Sequence, residues 1–358
     1  IYGLISAETL YSNSQLSTFG IPNNPTTSYN KGIAGFNRVV DESTVQNNDA
    51  FISFTVQNSR LGLVLDPYDF GGKNFSIDSR LELDFWSDTN LSISSMLPRI
   101  RRAYAGIGQK NWRILFGQEW DVLSPLNTET LNLGGNMWRQ GNLGVRRPQI
   151  RFTYEHGFTD KNGIEFAASV NLPSNSMSGG DQGNDTAIPM EEGRIGYWHK
   201  LPAGKLKIYL SGAYAKYNRL TPPGDKINNW GLALSVDVPM HKFFTPSGEV
   251  HYGYSLGMMN SNAQDTSRQR LLAGWGQVKS LWLDWFESNI GYGIETINQG
   301  QVPAGWVYRN QMSFANLKFK PVSVFVLGRD YNYLRTSYKH SPGPNAANVI
   351  FSNVIFYF

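Results

Sequence analysis

Arginine recurs at close spacing through one stretch of this chain: Arg80, then Arg99, Arg101 and Arg102, then Arg113, Arg139, Arg147 and Arg151. A guanidinium stays charged at any cellular pH and offers two parallel N–H donors to a carboxylate or phosphate. Several on one wall of a narrow aqueous path would concentrate anions. The same stretch holds Asp78, Glu82, Asp84, Glu119, Asp121 and Glu155. The alternative is therefore a neutral ladder of arginine–carboxylate pairs that only stiffens the wall. Which side chains share a face decides between the two.

Catalytic chemistry finds less support. Cysteine is absent, which excludes thiolate nucleophiles, thiolate metal sites and disulfides. The histidines are His156, His199, His241, His251 and His340. None stands in a recognisable Ser/His/Asp context, and the spacing of His251 and Ser255 is a weak signal. A barrel-based hydrolase is the less favoured reading, as is a sheath gripping a partner protein, since no plug segment is evident. The stretch near 174–190 holds Asp181, Asn184, Asp185, Glu191 and Glu192. It reads as a solvated acidic loop in preference to a calcium site. No cofactor or metal ion is expected. A net charge of +4 is too small for a nucleic-acid footprint unless it is clustered.

The elements that would position the arginines are strands. Of 358 residues, 13% are aromatic and only 17% charged, against roughly a quarter charged in soluble domains. Mean hydropathy is −0.35, and no apolar run is long enough for a membrane-spanning helix. Period-two alternation dominates. Ile164, Phe166, Ala168, Val170 and Leu172 alternate with Glu165, Ala167, Ser169 and Asn171, and Trp230, Leu232, Leu234, Val236 and Val238 with Asn229, Gly231, Ala233, Ser235 and Asp237. About sixteen such runs occur, near 1–11, 49–64, 74–87, 95–106, 111–122, 146–157, 162–173, 191–200, 204–218, 226–239, 246–259, 268–279, 282–296, 305–318, 321–336 and 345–358. Their length suits tilted strands crossing a bilayer. Short connections alternate with long polar ones, the pattern of an outer-membrane barrel with short periplasmic turns and long extracellular loops. An all-β, closed antiparallel transmembrane barrel over residues 1–358, in one domain, is expected. It implies a Gram-negative outer membrane and contact with its lipid. An exported chain of this kind is expected to have lost a signal segment ahead of Ile1.

Alternation then assigns faces. Leu81, Leu83 and Phe85 point out, leaving Asp78, Arg80, Glu82 and Asp84 inside. Ile100 and Tyr104 point out, leaving Arg99 and Arg101 inside. Ile114, Phe116 and Trp120 point out, leaving Arg113, Glu119 and Asp121 inside. Pro148, Ile150, Phe152 and Tyr154 point out, leaving Arg147, Gln149, Arg151 and Glu155 inside. Arg102 fits neither face; on lipid it would cost about 2–4 kcal/mol at mid-membrane, so it is expected either close to an interface or on a face that meets another protomer. The inward sets should be small or polar. The connection of about Leu123–Val145, with Gly134, Gly135, Trp138, Arg139, Gly141 and Gly144, is long enough to be functional and is expected to fold inward. The end Val354-Ile355-Phe356-Tyr357-Phe358 resembles the signal read by the outer-membrane assembly machinery.

Over roughly 50–155 the chain also resembles the DcaP-like trimeric porins. The resemblance rests on Ser59-Arg60-Leu61-Gly62, Glu82-Leu83-Asp84-Phe85-Trp86, Pro98-Arg99-Ile100-Arg101-Arg102-Ala103-Tyr104, Leu115-Phe116-Gly117-Gln118-Glu119-Trp120, Thr130-Leu131 and Arg147-Pro148-Gln149-Ile150-Arg151-Phe152-Thr153. It implies sixteen strands, a homotrimer, and uptake of small anionic solutes past Arg99, Arg101, Arg113, Arg147 and Arg151. Members often begin with a coiled-coil segment, whereas this sequence opens on a strand, which leaves the trimer to the barrel wall.

Overall fold

A computed structural model describes residues 1–18, 36–41, 49–70, 75–85, 97–133, 135–173, 186–218, 225–264 and 267–358. Trp86, Gly134, Asp181, Asn184 and Asp185 lie outside them. Strands form where the alternation lies: β1 (Tyr2–Ser12), β2 (Leu16–Thr18), β3 (Phe36–Val39), β4 (Phe51–Thr55), β5 (Arg60–Phe70), β6 (Phe75–Asp84), β7 (Arg99–Gln109), β8 (Trp112–Trp120), β9 (Arg146–Gly157) and β10 (Asn162–Asn171). The second half holds β11 (Met190–Leu201), β12 (Gly204–Asn218), β13 (Lys226–Asp237), β14 (Thr245–Tyr254), β15 (Arg270–Leu283), β16 (Phe286–Ile297), β17 (Val307–Val322), β18 (Phe325–Tyr338) and β19 (Asn345–Tyr357).

The small β2–β3 ladder stands apart. The other strands pair antiparallel with their neighbours around a ring that closes between β1 and β19, from Leu4↔Tyr357 to Ser12↔Val349. β4 and β5 both pair with β1. They are two segments of one barrel strand, broken by the turn in which the Ser59 amide donates to the Val56 carbonyl, so the barrel has sixteen strands. Phe358 completes the closure through two backbone hydrogen bonds with Gly3, of 2.9 and 3.1 Å. A Cβ on Gly3 would collide with the Phe358 ring and the Arg60 carbonyl, so glycine is required at the seam. Short turns and both termini share one rim. The long connections share the other.

The outer wall is apolar as expected. Leu210, Leu232, Val250, Leu272 and Ile290 are exposed at mid-strand, Ile290 to 59%. Only hydrocarbon solvates such a band without penalty. Ile290→Arg should therefore lower stability by about 2–4 kcal/mol. Denaturant titration of barrels refolded into lipid vesicles measures it, and an unchanged midpoint would mean that this face does not meet lipid.

The inner wall departs from expectation. Leu10, Ala213, Tyr217, Leu271, Met312, Phe314, Leu334, Val349 and Phe351 are buried inside. They form two apolar clusters, one with Leu123, Leu143, Met258 and Met259, the other with Val39, Leu131 and Met137. Inward positions need polarity only where water reaches them. Here connecting loops fill part of the bore, and the wall beneath them is a protein core.

Candidate functional site

The inward loop begins where β8 ends. The Asp121 amide donates to the Val145 carbonyl (2.9 Å) and the Val145 amide returns a bond to Asp121 Oδ2 (2.7 Å), pinching the loop shut at its base. From there it crosses the bore. Ser124 Oγ and the Leu126 amide donate to Glu249 on β14, and the Glu129 amide to Gln277 on β15. The Leu131 amide and Thr130 Oγ1 donate to Asp330 on β18. At the far end, Asn262 and Asn310 both donate to the Arg139 carbonyl at 2.8 Å. Backbone amides that leave a strand need new acceptors, and acidic or amide side chains from the far wall supply them. Burial alone would raise the Glu129 carboxyl, but Lys318 and Lys279, at 2.7 and 3.1 Å, outweigh it and hold it below the usual range.

Asp121 is buried at the pinch, beside Glu192, whose carboxylate accepts from the Val122 amide. Burial, reinforced by Glu192, pushes the Asp121 carboxyl well above the usual range against the opposing pull of Arg147. The folded state thus holds a proton that the unfolded chain releases near pH 4, roughly. That contribution is complete below about pH 4 and is lost as the pH rises through the folded-state pKa. Asp121→Asn keeps a carbonyl acceptor for Val145 and should flatten the fall in thermal midpoint between pH 5 and pH 8. An equal slope in wild type and variant would place the titration elsewhere.

The wall facing the loop carries the arginines. Arg99 grips Asp84 with Nε and Nη2 at 2.9 and 2.7 Å. Arg101 spans Glu82 (2.6 Å) and Asp84 (2.9 Å), Arg102 meets Glu119 at 2.8 Å, and Arg113 holds Asp78 with two donors. Arg80 lies over the Tyr2 ring, 5.4 Å from its centroid. Arg151 reaches the Trp120 carbonyl at 3.3 Å.

Several placements differ from the alternation. The β6–β7 register slips between Glu82↔Arg102 and Leu83↔Ile100. The bulge adds one residue, so Arg101 and Arg102 both point inward, and the phase inverts beyond it. Tyr104 is consequently inside, with the Arg113 guanidinium 5.3 Å from its ring centroid. Trp120 also turns in, against Trp138 of the loop (5.8 Å). Arg147 does not line open space. It is 1% exposed, donates to the Leu172 and Met258 carbonyls, and packs against Met190 and Met259. Arg139 contributes its carbonyl to the loop anchor. His251 is fully buried 3.5 Å from Glu249, and Ser124 gives its hydrogen bond to that carboxylate.

Two arginines that alternation left out belong to the wall. Arg60 pairs across the ladder with Asp84. Arg146 lies 4.8 Å over the Trp120 ring and feels the charges of Arg101, Arg99 and Arg60. Arg60 was visible only as part of the Ser-Arg-Leu-Gly motif, and Arg146 sat at an outward position by parity. Among the described residues, Arg60, Arg80, Arg146 and Arg151 have no carboxylate within ion-pair distance, while Asp78, Glu82, Asp84 and Glu119 are all occupied. Among the described residues, this stretch of wall therefore carries four guanidinium groups more than its ion pairs account for.

No family model and no curated protein matches this chain. Solved structures do. The outer membrane channel DcaP of Acinetobacter baumannii superposes with a TM-score of 0.76 at 17% identity, covering 100% of this chain and 96% of that one. The anion-selective porin from Comamonas acidovorans gives 0.64 at 12%, covering 100% and 98%. OprB of Pseudomonas putida gives 0.57 at 14%, covering 100% and 94%. The chain has the sixteen-stranded barrel fold of outer-membrane porins.

Proposed function

We propose that this chain is a passive channel of the Gram-negative outer membrane, assembled as a homotrimer, that favours small carboxylate-bearing anions, and that it is not an enzyme. One observation carries the anion preference: among the described residues, four guanidinium groups on the barrel's inner wall lack a carboxylate partner. The paired arginines, Arg99, Arg101, Arg102 and Arg113, hold the wall and cancel the nearby acids. The unpaired ones retain a field that attracts anions and donors that grip a carboxylate. The likeness to an anion-selective porin supports the reading, as does the likeness to the trimer form of OmpT, an outer membrane protein of Vibrio cholerae.

Reconstitution in planar bilayers under a potassium chloride gradient tests it. The reversal potential should indicate chloride over potassium. Potassium preference, or no conductance from a folded trimer, would refute the reading.

A further inference from the structure

The barrel exterior is stratified where β12 to β15 approach the long-loop rim. At mid-height it is aliphatic, with Leu210, Leu232, Leu234, Val250 and Leu272 exposed. Above lies an aromatic row: Tyr214 pairs with Trp230, and Trp230 with Tyr254. Trp230 also meets Tyr252 edge-on at 5.7 Å. Next come cations. Lys226 and Arg270 are exposed, and Arg268 is 60% exposed and only loosely tied to Asp225 at 3.3 Å. These three line one groove of about 550 Å³ with Trp230, Tyr252 and Tyr254 as its floor. Arg270 pairs with Tyr254 in the β14–β15 ladder, so the aromatic and basic layers are contiguous.

That order of layers matches a leaflet read outward from its hydrocarbon: acyl chains, an amphipathic boundary favoured by Tyr and Trp, then headgroup phosphates. We infer that this groove binds a phosphate-bearing glycolipid headgroup of the outer leaflet, with Lys226, Arg268 and Arg270 on the phosphate and the Trp230–Tyr252–Tyr254 floor against the sugar and the first acyl carbons. Charge decides against a second copy of this chain. Among the described residues the groove presents three cations, with only Asp225 and, one strand further, Glu191 as nearby acids, so two such faces would repel. The inference rests on the outer-membrane reading but not on anion conduction, because the groove lies outside the pore.

The test uses the full chain purified in detergent and native mass spectrometry with diphosphorylated lipid A, its dephosphorylated form, and inorganic phosphate. Wild type should retain the diphosphorylated lipid. The Lys226→Gln/Arg268→Gln/Arg270→Gln variant should lose affinity roughly a hundredfold, at about a factor of five per basic residue. Arg270→Gln alone should lose about that single factor, which keeps the test open if the triple variant fails to fold. Lys242→Gln, an exposed cation beside Phe243 at the opposite rim, should change nothing. Reversal potentials of all variants should equal that of wild type. Equal retention by the triple variant, equal binding of the dephosphorylated lipid, or displacement by equimolar inorganic phosphate would each overturn the inference. Loss of conduction with lipid retention intact would count against the channel reading alone.

Discussion

Replacing Arg60 and Arg146 together by alanine should cut the ratio of anion to cation permeability roughly thirtyfold in dilute salt, with a smaller effect in concentrated salt. Each guanidinium contributes about 1 kcal/mol to a unit anion at contact distance in water, and screening shortens its reach as ions are added. Neither holds an acid in place, so removing them should leave the wall folded. Arg101→Ala provides the contrast. Asp84 keeps Arg99, but Glu82 loses its ion-pair partner, and deleting one side of a buried pair costs about 3–5 kcal/mol. A selectivity loss in Arg101→Ala would therefore come with a lower melting temperature. In the Arg60/Arg146 variant it should come without one. Reversal potential and thermal melting on the same preparations separate the cases. An unchanged permeability ratio in the double variant would leave the unmatched arginines without a role in conduction.

Glu249→Ala should unseat the inward loop and raise single-channel conductance. The carboxylate accepts from Ser124 Oγ, the Leu126 amide, Ser235 Oγ and Trp275 Nε1. Deleting it leaves those donors without an acceptor, at about 1–3 kcal/mol for each that stays buried and unpaired. Detaching the 124–126 segment into water relieves part of that cost and widens the path. Gly141→Ala reaches the same end by another route. Gly141 has φ +118°, where a side chain is strained, and a Cβ there would strike the Gly274 carbonyl and the Ile294 amide on the barrel wall. Both variants should pass larger neutral sugars in liposome swelling assays. If conductance and size limit stay at wild-type values while the melting temperature falls, the loop does not set the bore.

Most of the architecture was legible because a lipid-facing strand obeys one simple rule. Every second side chain must be apolar, and the rule repeats until the ring closes. Ile164 to Leu172 and Trp230 to Val238 follow it, and their strands lie within a few residues of expectation. The site was less legible. The bulge at Arg101–Arg102 adds one residue with no mark in the residue types, yet it reverses which side Tyr104 faces. Arg102 did register as an inconsistency, an arginine that suited neither face. Arg147 has the parity of a pore residue, and nothing local indicates that Met190, Met258 and Met259 will close over it.

Amino-acid order by itself determined the strands, the closed barrel, which face meets lipid and that arginines crowd one side of the bore, because these depend on local periodicity and on hydrocarbon excluding charge. Tertiary structure alone decided which arginines are cancelled and which are free. That depends on carboxylates brought in from neighbouring strands, as between Arg113 and Asp78, on a one-residue register slip, and on a loop anchored to the far wall, as between Thr130 and Asp330, that makes part of the inner wall a dry core.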